Sequence, residues 1–165
     1  RQMIAMALSC NPKLLIADEP TTSLDVTIQA QIMELMRELK RNFQSSILLI
    51  THDLGLVAEL CDRVAIMYAG RIVESAPAEG LFKSPTHPYT QGLLGSVAKF
   101  HEDIVELKTI PGSVPNMINV PSGCRFNPRC YAAFQKCPLS EPNCIEVEKG
   151  HFVVCHLYDK AELGS

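Results

Sequence analysis

The chain has 165 residues, of which 47% are hydrophobic, and its formal net charge is -3. This length suits one domain, or one domain with a small appendage, and the apolar content supports a hydrophobic core. The mild acidity gives no sign of a nucleic-acid-binding surface, and no apolar run approaches the roughly 18 residues of a membrane-spanning helix. Seven cysteines without a secretory signal favour free thiols or metal ligands over disulfides.

The first part of the chain shows alternating strand and helix patterns. An apolar run at 13–17 predicts a buried parallel strand with both faces covered. A helical stripe of apolar residues predicts a long helix at 26–43, capped by Ser23 or Asp25. The elements expected next are a strand at 46–51, a helix at 54–60 and a hairpin with strands at 63–68 and 71–74. This alternation predicts an α/β fold, a parallel sheet with flanking helices.

The pattern changes after residue 75. A proline-rich turn at 84–89 precedes a predicted helix that ends near residue 97. Residues 108–157 are rich in proline, cysteine and asparagine, and they show no helical period. Such a segment buries little apolar surface and usually needs a disulfide or a bound metal to fold stably. We therefore predict two domains, 1–100 and a small, irregular, cysteine-rich extension at 101–165.

Two carboxylates and a histidine follow the predicted parallel strands. Asp18 and Glu19 come after the first strand, and His52 comes after the second. Ligand crevices in open α/β sheets lie at the carboxyl ends of the strands, so we expect these side chains at one edge of the sheet. A carboxylate there can hold Mg²⁺, and its neighbour can orient an attacking water. The alternative is a core strand followed by residues that merely cap a helix.

The motif order around these residues resembles the C-terminal half of an ABC-transporter ATPase, a P-loop NTPase. The stretches that carry it are LLIADEP at 14–20, TTSLD at 21–25 and ILLITHD at 47–53, similar to Walker B, D-loop and switch histidine. The resemblance implies that Asp18 binds Mg²⁺, that Glu19 acts as general base on ATP, and that His52 contacts the γ-phosphate. It also implies that Asp25 communicates across a dimer of two such domains, with Ser23 in the same nucleotide-binding loop.

The phosphate-binding motif G-x-x-x-x-G-K-[ST] does not occur in the sequence. That motif supplies the backbone N–H groups that cradle phosphates. We therefore expect the chain to be part of a longer protein and to be inactive as an ATPase by itself.

Four cysteines form a second constellation, Cys124, Cys130, Cys137 and Cys155, separated by five, six and seventeen residues. Four thiolates suit either tetrahedral zinc or an iron–sulfur cluster, and the spacing leaves the metal open. Cys144 is extra to the pattern. The two histidines His151 and His156 rank lower as ligands, whereas Cys10 and Cys61 are expected to be small buried hydrophobes.

The cysteine-rich part resembles the C-terminal extension of oligopeptide and dipeptide importer ATPases. The stretches concerned are HPYT at 87–90, IPG at 110–112, PSGCRF at 121–126, PRC at 128–130 and GHFVVCH at 150–156. In that subfamily the four matching cysteines bind a [4Fe–4S] cluster, which the resemblance implies here, with zinc as the alternative.

Together the resemblances imply an ATP-hydrolysing subunit of a peptide importer, peripheral on the cytoplasmic face of the membrane. Its partners would be a second ATPase domain, transmembrane permease subunits and, indirectly, a solute-binding protein, with no nucleic acid. Two alternatives stay open: a non-catalytic metal-binding or interaction module, and the ATPase of an importer for nickel or another small solute.

Overall fold

A computed structural model describes residues 6–7, 9–10, 12–22, 24–42, 46–96 and 110–159. These form two compact units, Arg1–Cys61 and Asp62–Ser165, which we call the first and the second unit. The domain boundary predicted at 100/101 lies outside the described residues and stays a prediction. In the part of the chain that is described, no helix is both long and apolar enough to cross a membrane.

The first unit is a two-stranded parallel sheet with helices. Its elements are β1 (Leu14–Asp18), α1 (Val26–Asn42), β2 (Ser46–Ile50) and α2 (Leu54–Leu60). The parallel register places Asp18 opposite Ile50, so both strands end at one edge. The mixed α/β architecture expected from the sequence is confirmed, and the bounds of α2 match the prediction.

The core of the first unit covers one face of the sheet. Leu15 and Ala17 of β1 are buried, and they cluster with apolar residues of α1, namely Ile32, Met36 and Leu39. The alternate residues Leu14 and Ile16 are 51% and 59% exposed. The prediction that β1 is buried on both faces is therefore wrong for the described residues, because side chains of a strand alternate between faces and α1 covers only one.

The second unit contains an antiparallel sheet of four strands within the described residues. Its elements are β3 (Arg63–Tyr68), β4 (Arg71–Pro77), α3 (Ala78–Lys83), α4 (Pro88–Gly95), β5 (Cys144–Glu148) and β6 (His151–Val154). The strand order is β3-β4-β6-β5. The predicted hairpin at 63–74 is confirmed, although β4 runs three residues further.

The hairpin turn between β3 and β4 consists of Ala69 and Gly70, with φ of 45° and 76°. Positive φ at both central residues is typical of the type I′ turn, whose twist matches that of the flanking strands. Glycine adopts this conformation without steric cost, and Ala69 adopts it because the strands on either side fix the turn.

The cysteine-rich segment is less irregular than predicted. Its strand β6 pairs with β4, with Val153 opposite Glu74, and therefore continues the hairpin sheet. Packing adds a second link, since the rings of Tyr68, Tyr89 and Phe126 lie 4.7 to 5.4 Å apart by centroid. Arg129 extends this link by donating hydrogen bonds to the Tyr68 hydroxyl and to two backbone carbonyls, those of Ile110 and Pro111.

Candidate functional site

Glu19 and His52 meet at the edge where β1 and β2 end. The Nδ1 atom of His52 lies 2.8 Å from Oε1 of Glu19. The backbone continues the strand pairing up to this point, because the Glu19 N–H donates to the Ile50 carbonyl at 2.9 Å. Parallel pairing thus brings together two side chains that are 33 positions apart in sequence.

The electrostatics of this pair favour two charged partners. The hydrogen bond from His52, followed by one from Thr22, lowers the pKa of Glu19. The same bond to Glu19 raises the pKa of His52. A carboxylate only accepts hydrogen bonds, so the His52 Nδ1 atom carries the shared proton, and the Nε2 atom is the ring nitrogen left for a ligand.

The backbone of Glu19 is in an uncommon conformation. Its φ is 46°, in the left-handed region that non-glycine residues rarely enter. Such strain is often retained where a side chain must point in a functional direction. Glu19 is 38% exposed and His52 81% exposed by side chain, so both are open to a ligand.

The other residues expected at this edge take different positions. Asp18 is the exposed last residue of β1, next to Glu19. Asp25 caps α1, because its Oδ1 accepts from the Ile28 N–H at 2.9 Å. The expected capping role of Asp25 is therefore confirmed, whereas Ser23 lies outside the described residues and its expected role stays a prediction.

The sequence reasoning passed over Thr22. Its hydroxyl donates to Oε2 of Glu19 at 2.9 Å, on the carboxylate oxygen that His52 does not use. The available signal was a hydroxyl residue three positions after a turn carboxylate, a spacing at which side-chain hydrogen bonds are common.

The four cysteines Cys124, Cys130, Cys137 and Cys155 converge in the second unit, and we call them the cysteine cluster. Burial raises the pKa of the Cys155 thiol to about 12, and the other three thiols add to the shift by their charge. Burial likewise raises the pKa of Cys124 and of Cys130. The Cys124 N–H donates to the Cys137 carbonyl at 2.8 Å, which ties two of the four backbone positions together.

All four cysteines of the cysteine cluster are free thiols. Within the described ranges, no group of three or more His, Cys, Asp or Glu side chains is arranged to hold a metal ion. The donor set itself, four converging thiols, is of the kind that both zinc and iron–sulfur clusters use.

Residues near the cysteine cluster have other partners. Cys144 is exposed on β5, opposite Val154, and is not among the charges that shift the other thiols. His151 Nε2 lies 2.7 Å from Glu74 Oε1, and His156 Nδ1 lies 2.8 Å from Asp159 Oδ2. Both histidines are therefore held by carboxylates.

One of the two remaining cysteines differs from expectation. Cys10 is exposed and Cys61 is half-buried, so the prediction of a small buried hydrophobe is wrong for Cys10. Polar neighbours in a short turn explain this, since the Ser9 hydroxyl lies 3.8 Å from the Cys10 sulfur.

Glu74 is a second residue that sequence reasoning missed. It is 1% exposed on β4, and its carboxylate accepts from the Thr86 N–H, the Thr86 hydroxyl and the His87 N–H at 2.7 to 2.9 Å. With His151 it forms a buried polar centre that attaches the 84–90 turn to the sheet.

Two family models match the chain. One describes the C-terminal region of oligopeptide/dipeptide transporters and matches residues 73–137. The other describes an AAA domain, putative AbiEii toxin of a type IV toxin–antitoxin system, and matches residues 2–58.

Curated relatives match over most of the chain. The oligopeptide transport ATP-binding protein AppD of Bacillus subtilis is 56% identical over 160 residues, 97% of this chain and 49% of the relative. OppD of Haemophilus influenzae is 56% identical over 140 residues, 85% of this chain and 43% of the relative. The dipeptide transport ATP-binding protein DppD of Escherichia coli K12 is 50% identical over 156 residues, 94% of this chain and 48% of the relative.

The chain thus spans about half the length of these relatives. One solved structure, cbiO1 from Clostridium perfringens, part of the ABC transporter complex cbiONQ, is 33% identical, with a TM-score of 0.45 over 55% of this chain and 36% of that one. On the identity to its relatives, the chain belongs to the family of oligopeptide and dipeptide ABC-transporter ATP-binding proteins, and it corresponds to their C-terminal region.

Proposed function

We propose that the chain carries part of the ATP-hydrolysing centre of a peptide importer subunit. The observation that carries the proposal is the Glu19–His52 hydrogen bond of 2.8 Å at the common edge of β1 and β2. It is supported by relatives that are named as oligopeptide and dipeptide transport ATP-binding proteins. We use the term full-length subunit for a protein as long as these relatives that contains the 165 residues.

Glu19 would act as the general base. Its lowered pKa keeps the carboxylate ionised at neutral pH, and each oxygen has a lone pair beyond the one that a neighbour uses. One such lone pair can accept a proton from an attacking water. His52, with its proton on Nδ1 directed at Glu19, would present Nε2 to the γ-phosphate.

Asp18 is the residue that would hold Mg²⁺ beside the phosphates. Mg²⁺ takes oxygen ligands and commonly keeps several waters, so one exposed carboxylate at the strand end fits as a ligand. The ion would neutralise charge on the phosphate oxygens. Ser23 and Asp25 would belong to the loop that faces a second ATPase domain, with Asp25 also capping α1.

The test is ATP turnover by the full-length subunit with Glu19→Gln. The amide keeps the size of the side chain but cannot act as a base, so we expect turnover to fall by at least about 10²-fold while ATP binding is kept. Glu38→Gln, an exposed carboxylate change on α1, is the matched control and should leave turnover unchanged. Turnover near the wild-type value in Glu19→Gln would refute the assignment.

We further propose that the cysteine cluster binds a [4Fe–4S] cluster. Four buried or half-buried thiols lie within electrostatic reach of one another. Burial raises the pKa values of Cys124, Cys130 and Cys155 and so favours neutral thiols, whereas a bound metal centre would hold the ligands as thiolates. The resemblance to the importer subfamily favours iron–sulfur over zinc.

Metal analysis of anaerobically purified protein tests this proposal. We expect about four iron and four sulfide per chain, and loss of both when any one of the four cysteines becomes serine. Cys10→Ser and Cys144→Ser are the controls and should keep the metal. Zinc without sulfide would contradict the cluster, and a Cys144→Ser variant that loses metal while Cys137→Ser keeps it would show that the wrong four residues were chosen.

In the transporter the full-length subunit would work on the cytoplasmic face of the membrane. Its proposed partners are a second ATPase domain, the transmembrane permease subunits and, through them, a solute-binding protein. Absence of ATP turnover in the wild-type full-length subunit would favour the alternative of a non-catalytic metal-binding module, and nickel uptake without peptide uptake would favour the small-solute importer.

A further inference from the structure

The carboxylate of Glu19 is held from both sides. His52 Nδ1 lies 2.8 Å from Oε1, and the Thr22 hydroxyl donates to Oε2 at 2.9 Å. A glutamate side chain has several rotatable bonds, so one hydrogen bond leaves the plane of the carboxylate free to turn. Two hydrogen bonds on different oxygens fix that plane.

The local backbone places Thr22 for this contact. The Thr22 N–H donates to the Glu19 carbonyl at 3.1 Å, which closes a turn over residues 19–22. Glu19 itself enters the turn with φ of 46°, and its N–H is bound to Ile50 of the neighbouring strand. Thr22 therefore donates to Glu19 with both its backbone N–H and its side-chain hydroxyl.

The type of bond also matters for the chemistry. A hydroxyl that donates to a carboxylate stabilises the ionised form, which is the form that acts as a base. The preceding residue, Thr21, has a hydroxyl as well, but its contact with this turn is a backbone one, from the Leu24 N–H to the Thr21 carbonyl.

We propose that Thr22 is a positioning residue for ATP hydrolysis, whose hydroxyl holds the Glu19 carboxylate in the orientation that accepts a proton from the attacking water. The inference rests on the proposed function of Glu19 and His52. It assigns to Thr22, in the loop after Walker B, a role within its own subunit.

The first test is kinetic and uses Thr22→Val, Thr22→Ser and, as control, Thr27→Val, a change at an exposed threonine of α1, in the full-length subunit. Valine has the shape of threonine without the donor, so we expect kcat to fall about tenfold, near the low end for loss of one hydrogen bond to a charged group, because this contact is exposed. The KM for MgATP should stay within about twofold, since the bond acts on the base rather than on the nucleotide. Serine keeps the donor and should restore kcat, and Thr27→Val should leave it unchanged.

The pH profile separates positioning from a merely structural role. Without the Thr22 donor the ionised form of Glu19 loses stabilisation, so the acid limb of the rate profile should move to higher pH in Thr22→Val. An unchanged kcat and profile in Thr22→Val would overturn the inference. Equal losses in the valine and serine variants would overturn it too, because they would show that the hydroxyl is not what matters.

A second measurement does not depend on turnover. The side-chain carboxyl carbon of Glu19 can be titrated by NMR in the 165-residue protein, with and without Thr22→Val. We expect a higher pKa for Glu19 in the valine variant, and an equal pKa would overturn the inference. If Glu19→Gln keeps turnover while the Glu19 pKa still depends on Thr22, the proposed function fails but the contact stands.

Discussion

We expect His87 to make the second unit sensitive to acid. It is 1% exposed, and its Nδ1 atom accepts from the Tyr89 N–H at 3.0 Å as the cap of α4. The proton therefore sits on Nε2, which has no hydrogen-bond partner among the described residues. Burial lowers the pKa of His87 to about 4, although the nearby Glu74 charge acts in the opposite direction.

The sign and size of the effect follow from the two pKa values. In the unfolded chain His87 takes up a proton near its ordinary pKa of 6.5, whereas in the folded unit it does so only near 4. Stability is therefore fully present above about pH 6.5 and is lost as the pH falls towards 4. At about 1.4 kcal/mol per pH unit, His87 lowers the free energy of unfolding by about 2 kcal/mol between pH 7 and pH 5.

The perturbation is His87→Asn, which keeps an acceptor suited to a helix cap but does not titrate. Urea unfolding can be followed by tyrosine near-UV circular dichroism, because all four tyrosines lie between residues 68 and 158 and the chain has no tryptophan. Loss of the buried ring lowers stability by the same amount at both pH values. The wild type should therefore lose about 2 kcal/mol more than the variant between pH 7 and pH 5.

His52→Asn is the matched control. His52 is exposed and has a raised pKa, so its contribution is present at low pH and is lost as the pH rises through the folded-state pKa. Its removal should not reduce the acid sensitivity of the tyrosine signal. Equal pH dependence in wild type and His87→Asn would refute the reasoning, since it would mean that this buried histidine takes up its proton at an ordinary pKa.

Three further changes test the packing of the second unit by urea unfolding. Gly123→Ala should cost at least about 2 kcal/mol, because φ is +65° and a Cβ atom would lie 2.3 Å from the Cys137 carbonyl oxygen. Gly80→Ala is its control and should be neutral or stabilise by up to about 1 kcal/mol, since a Cβ atom there meets nothing within 4 Å. Glu74→Gln should cost about 2 to 4 kcal/mol, because the amide turns an N–H group towards the buried donors around it. A stable Gly123→Ala, a destabilised Gly80→Ala or an unaffected Glu74→Gln would contradict these packing arguments.

The meeting of Glu19 and His52 could be predicted from sequence for a simple geometric reason. Parallel strands end at the same edge, and the register of β1 and β2 brings their last residues side by side. Thr22 could not be predicted as a partner of Glu19, because its contact depends on the positive φ of Glu19. The catalytic and binding roles of these residues stay predictions.

The sheet of the second unit was harder to predict because its strand order depends on pairing between residues far apart in sequence. β5 and β6 are short, and β6 joins the hairpin through its pairing with β4, in which Val153 lies opposite Glu74, 79 positions earlier. Glu74 was not singled out, since no local pattern shows that Thr86, His87 and His151 surround it. The spacing of the cysteines did not distinguish the cysteine cluster from Cys144, whereas the resemblance to the importer subfamily did.

The most direct test of the account is peptide uptake by the reconstituted transporter. The full-length subunit, a second ATPase and the permease subunits are placed in proteoliposomes, with the solute-binding protein on the outside and ATP inside. With wild-type subunit we expect ATP-dependent uptake of a labelled oligopeptide, and with Glu19→Gln we expect uptake to fall by at least about 10²-fold while ATP binding is kept. Uptake at the wild-type rate in Glu19→Gln would contradict the claim that this residue drives transport through ATP hydrolysis.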